Sequence, residues 1–282
     1  MRAVQTVKEI REALKPVRSS GQVIGLVPTM GALHAGHEKL IQTARKECGV
    51  VVVSIFVNPL QFGPKEDYAR YPRPLEADLE VCRRNGVDLV FAPSADEMYP
   101  LPQLAFTEVT RVSEGLCGVF RPGHFRGVAT VVLKLFNIVQ PDRAYFGEKD
   151  MQQLAVIRRM VADLNVPVEI VPVATVREAD GLAVSSRNQY LDAEQRRIAP
   201  VVFRALREAE RLIRAGENDV AKVRESALGV LRDVRVEYLE IVDPEDMQPV
   251  ATVTGPVRIA AAVWLGTTRL IDNILVEETR VG

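Results

Sequence analysis

The chain has 282 residues, of which 47% are hydrophobic and 26% charged, and its formal net charge is −1. That composition is globular and long enough for one large or two modest domains with a substantial core. The near-neutral balance excludes a global field for nucleic acid or an anionic membrane, so an anion site must draw its potential from local groups. Cys48, Cys82 and Cys117 lie far apart with no Cys-x-x-Cys spacing, the pattern of reduced, buried thiols. No apolar signal core opens the chain and no window has the length of a membrane span. A cytoplasmic location without membrane or nucleic-acid partners is therefore expected.

Apolar runs alternate with helical patterns through the first 175 residues or so. Strands are predicted at 22–27, 50–57, 87–91, 104–109, 143–146 and 168–173, and helices at 6–16, 37–48, 74–85, 127–139 and 150–164. The runs 50–57 and 168–173 are almost continuously apolar, as strands covered on both faces are. Such alternation predicts an α/β fold with a doubly wound parallel sheet, whose ligands sit beyond the carboxyl ends of the strands. The pattern then changes. A polar loop at 177–189 leads to helices near 193–214 and 218–232 and to strands at 235–242, 256–264 and 268–276. Residues 1–175 are thus expected to form the parallel-sheet domain and residues 176–282 a smaller α+β domain closing over it.

The first predicted strand runs into Pro28-Thr29-Met30-Gly31-Ala32-Leu33-His34-Ala35-Gly36-His37. A glycine-broken strand-to-helix turn offers unpaired N–H groups and the positive end of a helix dipole to an anion. His34 and His37 share one face of the first helical turn, and Gly36 leaves room for a flat ring to approach the backbone. The same residues could form an ordinary turn with two surface histidines. A phosphate loop fails, because His37-Glu38 stands where Lys-Ser/Thr is required. The third reading is the His-x-Gly-His nucleotide site of the adenylyl-transferring α/β superfamily.

Further loops carry polar groups. Asn58 and Gln61 present neutral amides able to donate and accept, although a plain Pro-Gly turn would read alike. Arg121-Pro122-Gly123-His124-Phe125-Arg126-Gly127 is a basic, glycine-rich helix opening and a second candidate anion cradle. Lys149 is a compact cation suited to phosphate and Asp150 a hard oxygen ligand suited to Mg²⁺, in a segment that could equally be a solvated helix start. Ser185, Ser186 and Arg187 combine two hydroxyls and a guanidinium on a polar loop, a set suited to triphosphate.

Taken together, the order and wording of segments 28–37, 58–63, 123–127, 147–153 and 185–188 resemble the pantothenate synthetase (pantoate–β-alanine ligase) family. The resemblance runs nearly end to end and weakens in the last hundred residues. It implies a Rossmann-like nucleotidyltransferase fold with a C-terminal lid and a homodimer. It also implies that pantoate and β-alanine are joined with ATP and Mg²⁺ through a pantoyl adenylate. By the same resemblance ATP contacts Met30, Gly31, Ala32, Leu33, His34, Ala35, Gly36 and His37, then Gly147, Glu148, Lys149 and Asp150. It further contacts Val176, Val184, Ser185, Ser186 and Arg187. His34, His37 (as proton donor), Lys149 and Arg187 are the implied catalytic groups. Asn58, Gln61, His124 and Gln153 are the implied substrate contacts, and Asp150 holds Mg²⁺ with Asp78 acting through water. The 185–187 loop lacks the lysines of the wider superfamily, with Arg187 in their place. Three alternatives stand beside this reading: a superfamily nucleotidyltransferase acting on a phosphorylated small molecule, a zinc hydrolase using His34, His37 and His124, and a nucleotide-sensing or RNA-binding module.

Overall fold

The computed structural model describes residues 1–64 and 66–277. Contacts divide the chain into two units, the first formed by Met1–Thr110, Arg121–Glu148 and Val156–Ala174. The second comprises Arg111–Phe120, Lys149–Ala155 and the chain from Thr175 onward.

In chain order the elements are β1 (Arg2–Val4), α1 (Val7–Ser19), β2 (Ile24–Thr29), α2 (Ala35–Glu47), β3 (Val50–Ile55) and α3 (Leu75–Arg84). There follow β4 (Leu89–Phe91), α4 (Ala95–Met98), α5 (Cys117–Phe120), α6 (His124–Val139), β5 (Arg143–Gly147), α7 (Met151–Asp163) and β6 (Glu169–Val173). The six strands form one parallel sheet in the order β1-β4-β3-β2-β5-β6. This is the doubly wound sheet expected from the alternation. Val51, Val52 and Val53 are wholly buried, which explains the unbroken apolar run of β3. Chain order reverses between β2 and β5, and such a switch point opens a ligand crevice at the carboxyl ends of the flanking strands. β2 ends in the two-histidine turn, and β5 leads directly into Glu148.

The remaining elements are α8 (Ala193–Ile198), α9 (Val201–Arg214), α10 (Val220–Val230), β7 (Arg235–Val242), β8 (Val257–Leu265) and β9 (Thr268–Val276). The last three make an antiparallel sheet in the order β7-β8-β9. α9 buries Val202, Ala205, Leu206, Ala209 and Ile213 at helical spacing, in one core with Leu239, Ile259, Ala261 and Val263 of the sheet.

Two expectations are corrected, and one strand is added. Residues 104–109 are not a strand: Leu104 is 91% exposed, and the Thr107 N–H donates to Thr130 Oγ1 at 3.0 Å instead of to a strand neighbour. The helix expected over 193–214 is broken at Pro200, which has no N–H to donate and stands instead as the N-cap of α9. β1 adds a strand that periodicity does not reveal, since three residues are too few to show a period. No helix of the described residues is long and apolar enough to cross a membrane.

Candidate active site

The turn after β2 is held in an unusual backbone conformation. Gly31 has φ +84° and Ala32 has φ +50°, and the left-handed region is costly for alanine. Asp78, on the first turn of α3, compensates: its Oδ2 accepts the Ala32 N–H at 2.9 Å and its Oδ1 the Leu33 N–H at 2.7 Å. Only 2% of Asp78 is exposed. Burial pushes its carboxyl above the usual range, while the Leu33 and Ala32 donors pull the other way. A side chain at position 31 would place its Cβ 2.8 Å from Asp78 Oδ2, so glycine is needed for both its conformation and its size. Thr29 Oγ1 completes the clamp, accepting the Gly31 N–H at 3.1 Å and donating to Ser54 O at 2.7 Å.

The two histidines cap the helix reciprocally. α2 begins at Ala35, so His34 lies just outside it as the N-cap. His34 Nδ1 accepts the Gly36 N–H at 3.1 Å, and His37 Nδ1 accepts the His34 N–H at 3.3 Å. A neutral imidazole that accepts at Nδ1 carries its proton on Nε2. Both rings, with centroids 4.1 Å apart, thereby become Nε2 donors at the positive end of a helix dipole.

A second cluster surrounds Gln61. Asn58 is 1% exposed and fully engaged. Its Nδ2 donates to Gln61 Oε1 and to Gly127 O, both at 3.1 Å, and its Oδ1 accepts from Tyr99 Oη at 2.8 Å and from the Leu60 N–H at 3.3 Å. Gln61 Nε2 reaches Met30 Sδ at 3.1 Å, tying this cluster to the two-histidine turn. His124 Nδ1 donates to Gln61 O at 2.8 Å and its Nε2 accepts from Arg121 Nη1 at 3.0 Å. Arg121 is bound twice to Glu66, once through Nε at 2.9 Å and once through Nη2. Burial opposes the Glu66 charge, but the Arg121 hydrogen bond and charge, His124 and the Gly63 main chain outweigh it and hold the carboxyl below its usual range. Of the two arginines in the expected second anion cradle, Arg121 is therefore committed to a carboxylate, while Arg126 lies over the Phe106 ring, 4.0 Å from its centroid. Asn58 and His124 orient Gln61, and Gln61 is the amide they present.

Gly147 and Glu148 belong to the first unit, and the second carries the remaining expected residues. Lys149 Nζ lies 3.8 Å from Asp150 Oδ1, and the Asp150 side chain is the more exposed of the two. The Val184 N–H donates to Val176 O at 2.9 Å, leading the chain into Ser185, whose Oγ accepts the Arg187 N–H at 3.3 Å. Adjacent glutamines diverge in role. Gln152 is buried and ties down the 111–120 segment, accepting the Cys117 N–H at 3.0 Å and donating to Val112 O at 3.0 Å and Gly115 O at 2.8 Å. Gln153 is partly exposed.

Donor chemistry bears on the metals. Asp150 offers a hard, exposed carboxylate beside a phosphate-seeking lysine, which fits Mg²⁺ held largely by phosphate oxygens. Asp78 fits less well, because both its oxygens already accept backbone donors. Among the described residues no three His, Cys, Asp or Glu side chains converge as ligands. Both His124 nitrogens are engaged, so the zinc-hydrolase alternative has no ligand set. Thr29 and Gly127 lie inside the 28–37 and 121–127 segments, where residue type alone assigns them no role. Glu66 and Tyr99 join the site without a sequence signal, each an isolated residue with no spacing pattern.

A family model described as pantoate–β-alanine ligase matches residues 2–275. The pantothenate synthetase of Moorella thermoacetica is 54% identical over 280 residues, covering 98% of this chain and 99% of that protein. The crystal structure of pantothenate synthetase from Thermus thermophilus superposes with a TM-score of 0.93 at 50% identity, over 97% of this chain and 99% of the other. That of the pantoate–β-alanine ligase from Francisella tularensis, complexed with β-γ ATP and β-alanine, gives a TM-score of 0.81 at 35% identity, over 98% and 97% of the two chains. The family model spanning residues 2–275 and these relatives show that this chain belongs to the pantoate–β-alanine ligase family.

Proposed function

We propose that the chain condenses pantoate with β-alanine, using ATP and releasing AMP and pyrophosphate through a pantoyl adenylate. A pantoate carboxylate oxygen attacks the α-phosphorus, and the bond from that phosphorus to the bridging oxygen breaks, so that pyrophosphate leaves. The β-alanine amine then attacks the acyl carbon, the carbon–oxygen bond breaks, AMP departs with that oxygen, and the amine proton passes to solvent. Charge grows on the phosphate oxygens in the first step, so fixed donors matter more than a protein nucleophile. The pair of Nε2 donors at the start of α2, held by reciprocal capping, is the observation that carries this reading.

His34 and His37 donate to the phosphates, with His37 the proton donor. Lys149, Arg187, Ser185 and Ser186 neutralise the triphosphate. Gln61 and Gln153 hydrogen-bond pantoate, while Asn58 and His124 hold Gln61 in place. Asp150 is the residue that would hold Mg²⁺, which screens phosphate charge when bound. A pantoyl adenylate hydrolyses if water reaches it, and the reading gives residues 176–282 the task of excluding water. The family resemblance supports a cytoplasmic homodimer as part of the same proposal. A nucleotidyltransferase acting on a phosphorylated acceptor is disfavoured, because such an acceptor wants more cations than the neutral amides of Asn58, Gln61 and Gln153 supply, and Arg121 is bound to Glu66.

The test is pantoate-dependent exchange of labelled pyrophosphate into ATP without β-alanine. Exchange under those conditions is expected; an absolute requirement for β-alanine contradicts a separate adenylation step.

A further inference from the structure

β9 carries a buried polar network to which the ligation chemistry assigns no task. Asn273 is 4% exposed, and its side chain is engaged at both ends. Nδ2 donates to the main-chain oxygen of Lys149 at 3.0 Å, and Oδ1 accepts from Arg258 Nη1 at 2.5 Å. Its main-chain N–H donates to Asp272 Oδ1 at 2.8 Å and its carbonyl accepts from Arg177 Nη2 at 3.2 Å. Arg177 in turn grips Asp272 with both nitrogens, at 2.6 and 2.9 Å, and donates from Nη1 to Gly181 O at 3.1 Å.

Arg177 is also fixed from the other side. Its backbone forms an antiparallel bridge with Ala183, and its guanidinium lies 4.0 Å from the centroid of the Phe203 ring. Gly181 has φ +92°, and a Cβ there would lie 2.3 Å from Phe203 Cδ1, so the hairpin between Arg177 and Ala183 has little freedom. Two residues beyond Ala183 comes Ser185. One strand thus grips the backbone of Lys149 through Asn273 and the root of the 185–187 loop through Arg177.

Such a network is an expensive way to fill a core. A buried ion pair gains little over well-packed apolar side chains of the same volume, whereas removing one partner strands a buried charge. Asp272, 5% exposed, is in that position. What the network supplies is direction, because bidentate and main-chain hydrogen bonds fix both distance and angle. We infer that Asn273, with the Arg177–Asp272 pair, is a positioning device that registers Lys149 and the 185–187 loop to a single strand so that both meet one triphosphate. The inference rests on the reading of those two segments as phosphate-handling.

The test measures ATP affinity by calorimetric titration, together with kcat and the KM for pantoate, on full-length protein. Asn273→Ala is expected to weaken ATP about tenfold, the scale of one positioning hydrogen bond, and to change the pantoate KM by less than about twofold. In a Lys149→Ala background the same substitution should have a much smaller effect, because groups acting as a unit are not additive. Arg177→Lys keeps the charge facing Asp272 but loses the fork, so it should show the same ATP-specific loss and serves if Asn273→Ala folds poorly. Glu237→Gln is the control. It weakens the Glu237 bonds to Arg269 and Trp264 in the same sheet, and should lower the melting temperature without touching ATP affinity.

Wild-type ATP affinity in both Asn273→Ala and Arg177→Lys overturns the inference. An equal loss in the Lys149→Ala background, or the same ATP loss in Glu237→Gln, also overturns it. Failure of the wild-type protein itself to bind and turn over ATP would instead sink the proposed function, and this inference with it.

Discussion

His37→Ala is expected to lower kcat at least about a hundredfold, the scale of losing one preorganised transition-state donor. The ring has two separable jobs. Nδ1 accepts the His34 N–H and closes the helix cap, whereas Nε2 carries the proton aimed away from it. Loss of the cap alone is a stability effect of about 1 kcal/mol, or a few degrees of melting temperature for a chain of this size. His37→Asn separates the two, because the asparagine oxygen can sit near the lost Nδ1 but nothing replaces Nε2. It should therefore melt close to the wild type and still lose about a hundredfold in kcat. His37→Gln, which reaches toward the Nε2 position instead, should recover part of the rate. Wild-type turnover by His37→Asn would remove the residue from the chemistry and leave it only a cap.

Gly127→Ala should be the most damaging conservative change in the first unit. Its Cβ would lie 2.3 Å from Leu60 O, 2.5 Å from Leu60 C and 2.7 Å from Gln61 Cα. All three are main-chain atoms, so no side chain can swing aside; α6 and the 58–63 turn have to separate. Overpacking of this kind costs about 3 kcal/mol, the upper end of the usual range. Separation also breaks the Asn58 bond to Gly127 O, and Gln61 loses its orientation. A displacement of about 1 Å at a substrate-positioning group costs about a hundredfold, so kcat/KM for pantoate should fall by that factor while ATP affinity changes little. Urea denaturation and steady-state kinetics on the same preparation check both parts. Near-normal stability and pantoate kinetics would mean that the close approach of α6 is not what holds the amide.

Much of the frame is legible from residue type and period. Valine runs such as β3 announce strands buried on both faces, and the glycines and histidines after β2 announce an anion-binding turn. What the sequence does not display is partnership. Nothing in the spacing says that Asp78 clamps a left-handed Ala32, that Asn58 and His124 serve Gln61, or that Gln152 is structural while its neighbour Gln153 is left partly exposed. Those distinctions depend on which groups meet across tens of residues. Local misreadings have similar causes. Residues 104–109 are apolar enough for a strand but are not one, the Thr107 N–H going to the Thr130 hydroxyl, and the amphipathic period across 193–214 continues through Pro200 although the hydrogen bonding cannot.

The most direct measurement of the central claim follows oxygen. With pantoate labelled by ¹⁸O in its carboxylate, attack on the α-phosphorus predicts one labelled oxygen in the released AMP. Label recovered in orthophosphate, with ADP as co-product, would show activation at the γ-phosphate and contradict the account.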